Sequence, residues 1–169
     1  MKEVTMKIQP VRQTRPFTVY VLMFLLLFLG ISAIYGGYNL IADPSGNRLQ
    51  LPRGWLELTP FPNYFIPGLI LFSVLGVFPL VVTVLLYFKP HWSIMRGLEH
   101  LTHEHWSWFA SLTAGLALII WITVQFLMFG ARHPVQIELE LTLGTLGIII
   151  IAVSLLPSVR HYYEIPKTL

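Results

Sequence analysis

Residues 17–38 read FTVYVLMFLLLFLGISAIYGGY, a run without a single charged side chain. At 1.5 Å rise per residue, a helix of this length covers about 33 Å, enough to cross a hydrocarbon core of roughly 30 Å. Outward from this stretch, the uncharged window extends over 16–42, and comparable windows follow at 58–88, 106–131 and 141–159. The whole chain is 169 residues, 55% hydrophobic and 11% charged, with a mean hydropathy of +0.68. Soluble domains carry about a quarter charged residues, so a water-soluble enzyme is excluded by composition. The sequence predicts an all-α fold: an integral membrane four-helix bundle running up-down-up-down as one domain over 1–169. The spans fall at about 17–38, 65–88, 106–129 and 135–157, with an ordered outer cap over 39–64.

Local punctuation agrees with these windows. Pro16 opens the first, Pro67 lies in the first turn of the second, and Pro134 begins the fourth, positions where a missing amide proton costs little. Gly130 is a natural terminator of the third span. Glu138 and Glu140 fall in the opening turns of the fourth, where carboxylates complement the helix dipole. Pro79, deep inside the second, predicts a kink. The first apolar run is longer than a signal-peptide core and no small-residue cleavage pattern follows it, so a retained span is expected.

The charges set an expected orientation. Lys2, Lys7, Arg12, Arg15, Lys89, Arg96, Arg160 and Lys167 fall on one side; Arg48, Arg53 and Arg132 fall on the other. The excess of Lys and Arg marks the cytoplasmic side, placing both termini there and the chain in the cytoplasmic (inner) membrane. Trp55, Trp92, Trp106, Tyr162 and Tyr163 sit near span ends, as interfacial anchors do. The net charge of +3 is better matched to anionic lipid headgroups than to nucleic acid. Cysteine is absent from the sequence, which removes disulfides and thiol chemistry.

The 36–64 connection is the unusual part. Asp43-Pro44-Ser45-Gly46 fits a type I turn, with Asp at i, Pro at i+1 and Gly at i+3. Beyond it Leu51, Trp55, Leu56 and Leu58 are apolar while Arg53 and Glu57 are charged four apart, a pattern that predicts a short interfacial helix ended by Thr59-Pro60-Phe61-Pro62. Together with Leu51-Pro52, Trp55-Leu56, Tyr64, Ile66-Pro67-Gly68, Gly76 and Trp121-Ile122-Thr123-Val124-Gln125, this stretch resembles a recurring set of uncharacterised bacterial four-span membrane proteins. The likeness covers roughly 35–155. It implies the topology and no activity.

Candidate chemistry is sparse. His100, His103 and His105, beside Glu99 and Glu104, have the residue types of a zinc site, but on a helix His105 points away from the other two. No histidine lies inside a span, so a helix-ligated haem has no ligand, and no cofactor is expected. The polar residues Asn39, Asp43, Gln125, Arg132 and Glu140 lie at the outer ends of the spans. With Trp55, Phe61 and Tyr64 they would line a pocket beneath the cap. Mid-membrane carboxylates, catalytic triads and phosphate loops are all missing from the sequence, which argues against a transporter or an enzyme. Small residues are spaced for close helix contact: Gly36 and Gly37 in the first span, Ala110 and Ala114 with Ser111 and Gly115 in the third, Gly144 and Gly147 in the fourth. The expected role is a non-catalytic scaffold or accessory subunit that meets membrane lipids and either another membrane protein or itself. The alternative is a protein binding a lipid or small apolar molecule under the cap.

Overall fold

A computed structural model describes residues 14–165, apart from 58, 96, 98, 100–102 and 130–133. The four uncharged windows form four helices, α1 (Phe17–Ala42), α2 (Phe65–Phe88), α3 (Trp106–Phe129) and α4 (Pro134–Leu155), followed by a short α5 (Pro157–Tyr163). All four long helices are long and apolar enough to cross a membrane, and the chain is a multi-pass, all-α membrane protein. Helix α1 packs along α2, α2 along α3 and α3 along α4, and α4 returns to α1, closing a ring of four. The core is apolar along its length, from Leu40 near the cap through Leu26, Leu29, Leu75, Leu118 and Ile150 to Val159 and Tyr163 beside the termini.

Lipid offers no hydrophobic drive to helix association, so the helices are held by van der Waals packing and close backbone approach. Two interfaces do this with glycine. Between α1 and α2, a Cβ on Gly37 would stand 2.6 Å from the Phe72 nitrogen, and one on Gly68 would stand 2.6 Å from Leu40 Cβ. Between α3 and α4, Gly115 and Gly147 each face the other's carbonyl oxygen, and a Cβ on either would meet an isoleucine at 2.8 Å. Ala114 and Ser111 are buried alongside, and Ala110 is half-buried. Gly36 meets Leu71, whereas Gly144 has room, with Ile122 at 3.8 Å. Gly30 and Gly76 also face α2 and α1 respectively, partners that the four-residue spacing did not single out.

The folded chain adds detail to one sequence expectation and changes two others. Around the expected kink at Pro79, the second helix widens into a π-helical turn over Leu71–Val77. Pro79 has no N–H to give to the carbonyl four residues back, and wider i→i+5 bonding just upstream absorbs that break. The fourth span stops at Leu155 instead of Pro157, because Leu156 is extended at ψ 137° and Pro157 starts α5. A residue before proline is driven out of the helical region by the ring. The interfacial helix expected beyond Leu51 is reduced to a single 3-10 turn, Arg53–Trp55, and another such turn, Asn47–Leu49, precedes it. Gly54 inside the stretch and Pro60 and Pro62 closing it leave too few residues to propagate a helix. Helix α1 also runs to Ala42, one residue short of the turn that stops it.

Candidate functional site

At the cap end, the predicted type I turn forms, with the Gly46 amide donating to the Asp43 carbonyl at 3.0 Å. Asp43 Oδ1 accepts from the Ser45 amide and hydroxyl and Oδ2 from the Arg48 amide, and these bonds hold its carboxyl below the usual range. Tyr64 fastens the other end of the loop. Its amide donates to the Pro44 carbonyl at 2.9 Å and its hydroxyl to the Pro52 carbonyl at 2.9 Å. Burial pushes its own ionisation upward. Gly46 lies flat against that ring at φ +79°, where any side chain would be strained and would strike Tyr64.

The pocket residues read from the sequence divide into separate groups. Phe61 lines an open hollow of about 430 Å³ with Pro44, Ser45, Leu56 and Glu57. Glu140, 7% exposed, lines a different cleft of about 330 Å³ between α3 and α4, with Thr123, Phe126, Gly144 and Thr145. Asn39 turns back to the Tyr35 carbonyl of its own helix, Trp55 is half-buried in the cap, and Gln125 is half-buried on α3. Neither Tyr64 nor Gln125 lines either hollow. Arg132 lies outside the described residues, as do His100 and Gly130.

The opposite end, which carries both termini, holds the densest polar network. Pro90 cannot offer an N–H to the Leu86 carbonyl, and the buried Tyr163 hydroxyl donates there instead at 2.8 Å. The next carbonyl, Tyr87, accepts from Arg15 Nη2 at 3.0 Å. Helix α2 therefore ends with its orphan carbonyls taken by side chains from α5 and from the residues before α1. The break between α4 and α5 is closed similarly: Trp108 Nε1 donates to the Ser154 carbonyl at 2.7 Å. Ser111 and Ser154 hydroxyls meet at 3.1 Å beside it. The chain before α3 pairs with the chain after α5, His105 N–H to the Tyr163 carbonyl at 2.7 Å and Ile165 N–H to the His103 carbonyl at 3.0 Å. Arg160 donates twice to one oxygen of buried Glu104, at 2.9 and 2.7 Å.

His105 is 4% exposed, and its Nδ1 accepts from the Ser107 amide. Its proton therefore sits on Nε2, which faces Glu99 Oε1 at 3.9 Å. Burial holds its pKa below the ordinary histidine value, Lys89 and His91 adding to the effect and Glu99 opposing it. Of the histidine cluster read from the sequence, His103 points outward at φ 60°, and Glu104 is committed to Arg160. Among the described residues no three His, Asp or Glu side chains gather in a form that could hold a metal. Lys89, half-buried, has its pKa lowered to about 8 by burial and by the charge of Arg15. Its Nζ donates to the Tyr162 carbonyl at 2.7 Å and lies 3.3 Å from the Tyr162 ring centre. This network was missed because its members lie far apart in sequence. The usable signal was the pairing of Pro90 and Pro157, each at the end of a long helix, with tyrosine and tryptophan nearby.

Comparison with known protein families, with curated proteins and with solved structures finds no match to this chain.

Proposed function

We propose that this protein is a non-catalytic accessory subunit or scaffold of a membrane complex, seated in the cytoplasmic membrane with both termini on the cytoplasmic side. The observation that carries the reading is the face of α1 turned away from the bundle. Phe17, Tyr20, Phe24, Phe28, Ile31, Tyr35 and Tyr38 are all exposed there, at helical spacing along the full length of the span. The span glycines other than Gly144 are already in close contact inside the bundle, so this stripe, six large rings and Ile31, is the surface of α1 offered to another membrane-spanning helix. Aromatic side chains supply large contact area with few rotors to immobilise.

The experiment is native mass spectrometry of the tagged full-length chain, gently extracted, alongside a Phe24→Ala/Phe28→Ala variant. A second polypeptide or second copy bound to the wild type and lost from a folded variant supports the reading. A lone chain, or an assembly unchanged in the variant, overturns it.

A second reading has its own support in the cleft between α3 and α4. A carboxylate among apolar side chains and two threonines suits an apolar molecule carrying a hydrogen-bond donor. A discrete small adduct that disappears in Glu140→Gln, with assembly unchanged, would favour this reading over the first.

A further inference from the structure

Arg15 and Lys89 meet where the chain enters α1 and leaves α2. The Arg15 guanidinium carbon lies 4.4 Å from the Tyr87 ring centre and 5.5 Å from that of Tyr20. Both cations converge on Tyr162, Arg15 Nε at its hydroxyl (3.4 Å) and Lys89 over its ring. Among the described residues neither has a carboxylate within 4 Å. The acids of this end are engaged elsewhere: Glu104 by Arg160, Glu164 by His161, and Glu99 facing His105. Two like charges are thus held side by side. The partial negative end of α2 offsets about half a charge.

Donors remain to be used. A guanidinium has five N–H groups and an ammonium three. Arg15 commits one to the Tyr87 carbonyl and one, at long range, to the Tyr162 hydroxyl; Lys89 commits one to the Tyr162 carbonyl. Tyr87 beside Arg15, and Phe88, Trp92 and Ile94 at the same end of the bundle, are exposed. Rings at a helix end mark the headgroup level of a bilayer.

We propose that Arg15 and Lys89, framed by Tyr20, Tyr87 and Tyr162, form a seat for the phosphate of an anionic phospholipid headgroup. The spare N–H groups supply the charge-assisted bonds that a phosphodiester accepts. The exposed rings beside them contact the first carbons of the acyl chains. An anion seated here also offsets the burial and the Arg15 charge that together lower the Lys89 pKa. The seat shares Tyr20 with the partner face of α1, but its cations lie outside that face, and it is separate from the cleft at Glu140.

The test reconstitutes the full-length protein in vesicles of equal parts phosphatidylglycerol and phosphatidylcholine and counts the lipids retained by native mass spectrometry. The wild type is expected to retain phosphatidylglycerol in preference. Arg15→Gln and Lys89→Gln should each weaken retention about fivefold, from about 1 kcal/mol per cation at a membrane surface. Arg48→Gln, at the cap end, should leave it unchanged. Equal retention of the two lipids, or a folded double variant that keeps phosphatidylglycerol, overturns the proposal. Displacement of the lipid by inorganic phosphate at matched ionic strength would also overturn it, by showing a site for the free anion. If the double variant fails to fold, photo-crosslinking decides on the wild type. A phosphatidylglycerol carrying a headgroup-proximal diazirine should label peptides containing Tyr87 or Tyr162, and labelling confined to the cap end overturns the seat.

Discussion

The two ends of the bundle are closed by similar residue types and by opposite strategies. In the cap, the bonds Gly46 to Asp43, Leu51 to Gly46, Tyr64 to Pro44 and Tyr64 hydroxyl to Pro52 join residues within one short loop. At the other end, Tyr163 reaches Leu86, Arg15 reaches Tyr87 and Trp108 reaches Ser154, across sequence separations of 77, 72 and 46 residues. The cap is a local structure set on two helix ends. The termini end ties α2, α3, α4 and α5 together and includes the residues just before α1. A fault in the cap should therefore loosen the cap, whereas a fault at the termini end should weaken the whole bundle.

The sharpest way to break that comparison is Tyr163→Ala. It removes a fully buried ring and the donor to Leu86 together, and the expected loss is about 3–5 kcal/mol in reversible unfolding from detergent. Tyr163→Phe keeps the ring and leaves the Leu86 carbonyl without its donor, for about 1–3 kcal/mol. If Tyr163→Phe unfolds like the wild type, the termini end is held by packing and its hydrogen bonds are incidental. At the cap, Gly46→Val forces a branched side chain to φ +79° against Tyr64, at a local strain of about 1–3 kcal/mol. The expected result is new protease cleavage within 43–64 with the bundle's unfolding midpoint nearly unchanged. A large fall in that midpoint would show that the cap, too, is part of the global fold.

The same contrast explains what was legible in the sequence. The four spans were readable because bilayer thickness fixes their length, and the Asp43–Gly46 turn because its residue preferences are local. Pro134 at the start of the fourth helix was readable for the same reason. The interfacial helix was misread because periodicity over a few residues is weaker than Gly54 within the stretch and Pro60 and Pro62 that close it. The π-helical turn went unread because the sequence marks the missing amide of Pro79 but not how the backbone absorbs it. The candidate pocket grouped residues by depth alone. Depth is set by sequence position, but rotation about each helix is set by packing, and packing put Glu140 in a cleft between α3 and α4 and left Phe61 lining a hollow of the cap. The termini network was invisible for the strongest reason: every bond in it that joins helices depends on the assembled bundle.

A smaller effect separates the ends by pH. His105 is buried neutral, faced by Glu99, His91 and Lys89, with its folded pKa lowered from 6.5. The unfolded chain takes up the proton near pH 6.5, before the folded chain does. Between pH 6.5 and the lower folded value the unfolded state therefore binds more protons, and stability falls as pH falls through that window. Above 6.5 this contribution is flat. Thermal unfolding between pH 7.5 and 5 should show a declining midpoint in the wild type and a shallower decline in His105→Gln. Identical slopes would mean that the histidine is not held neutral by the fold.

The smallest expected effect belongs to Asp43. Its folded pKa is lowered from 3.8 by the Ser45 hydroxyl and the Arg48 amide, so the sign is the reverse of that for a buried base. The stabilisation is fully present above pH 3.8 and is lost as pH falls through the folded value. Because the carboxylate is open to water, the consequence is confined to the loop. Asp43→Asn tests this at neutral pH, since its carboxamide replaces one accepting oxygen with an N–H donor. Whichever way the amide turns, that donor faces an N–H or O–H group that the carboxylate accepted from, Arg48 on one side or Ser45 on the other. Proteolysis within 43–64 should quicken modestly in the variant while the bundle's unfolding midpoint stays at the wild-type value. A variant as resistant as the wild type would show that the Gly46 and Tyr64 backbone bonds suffice for the cap, making its closure still more local than the comparison already holds.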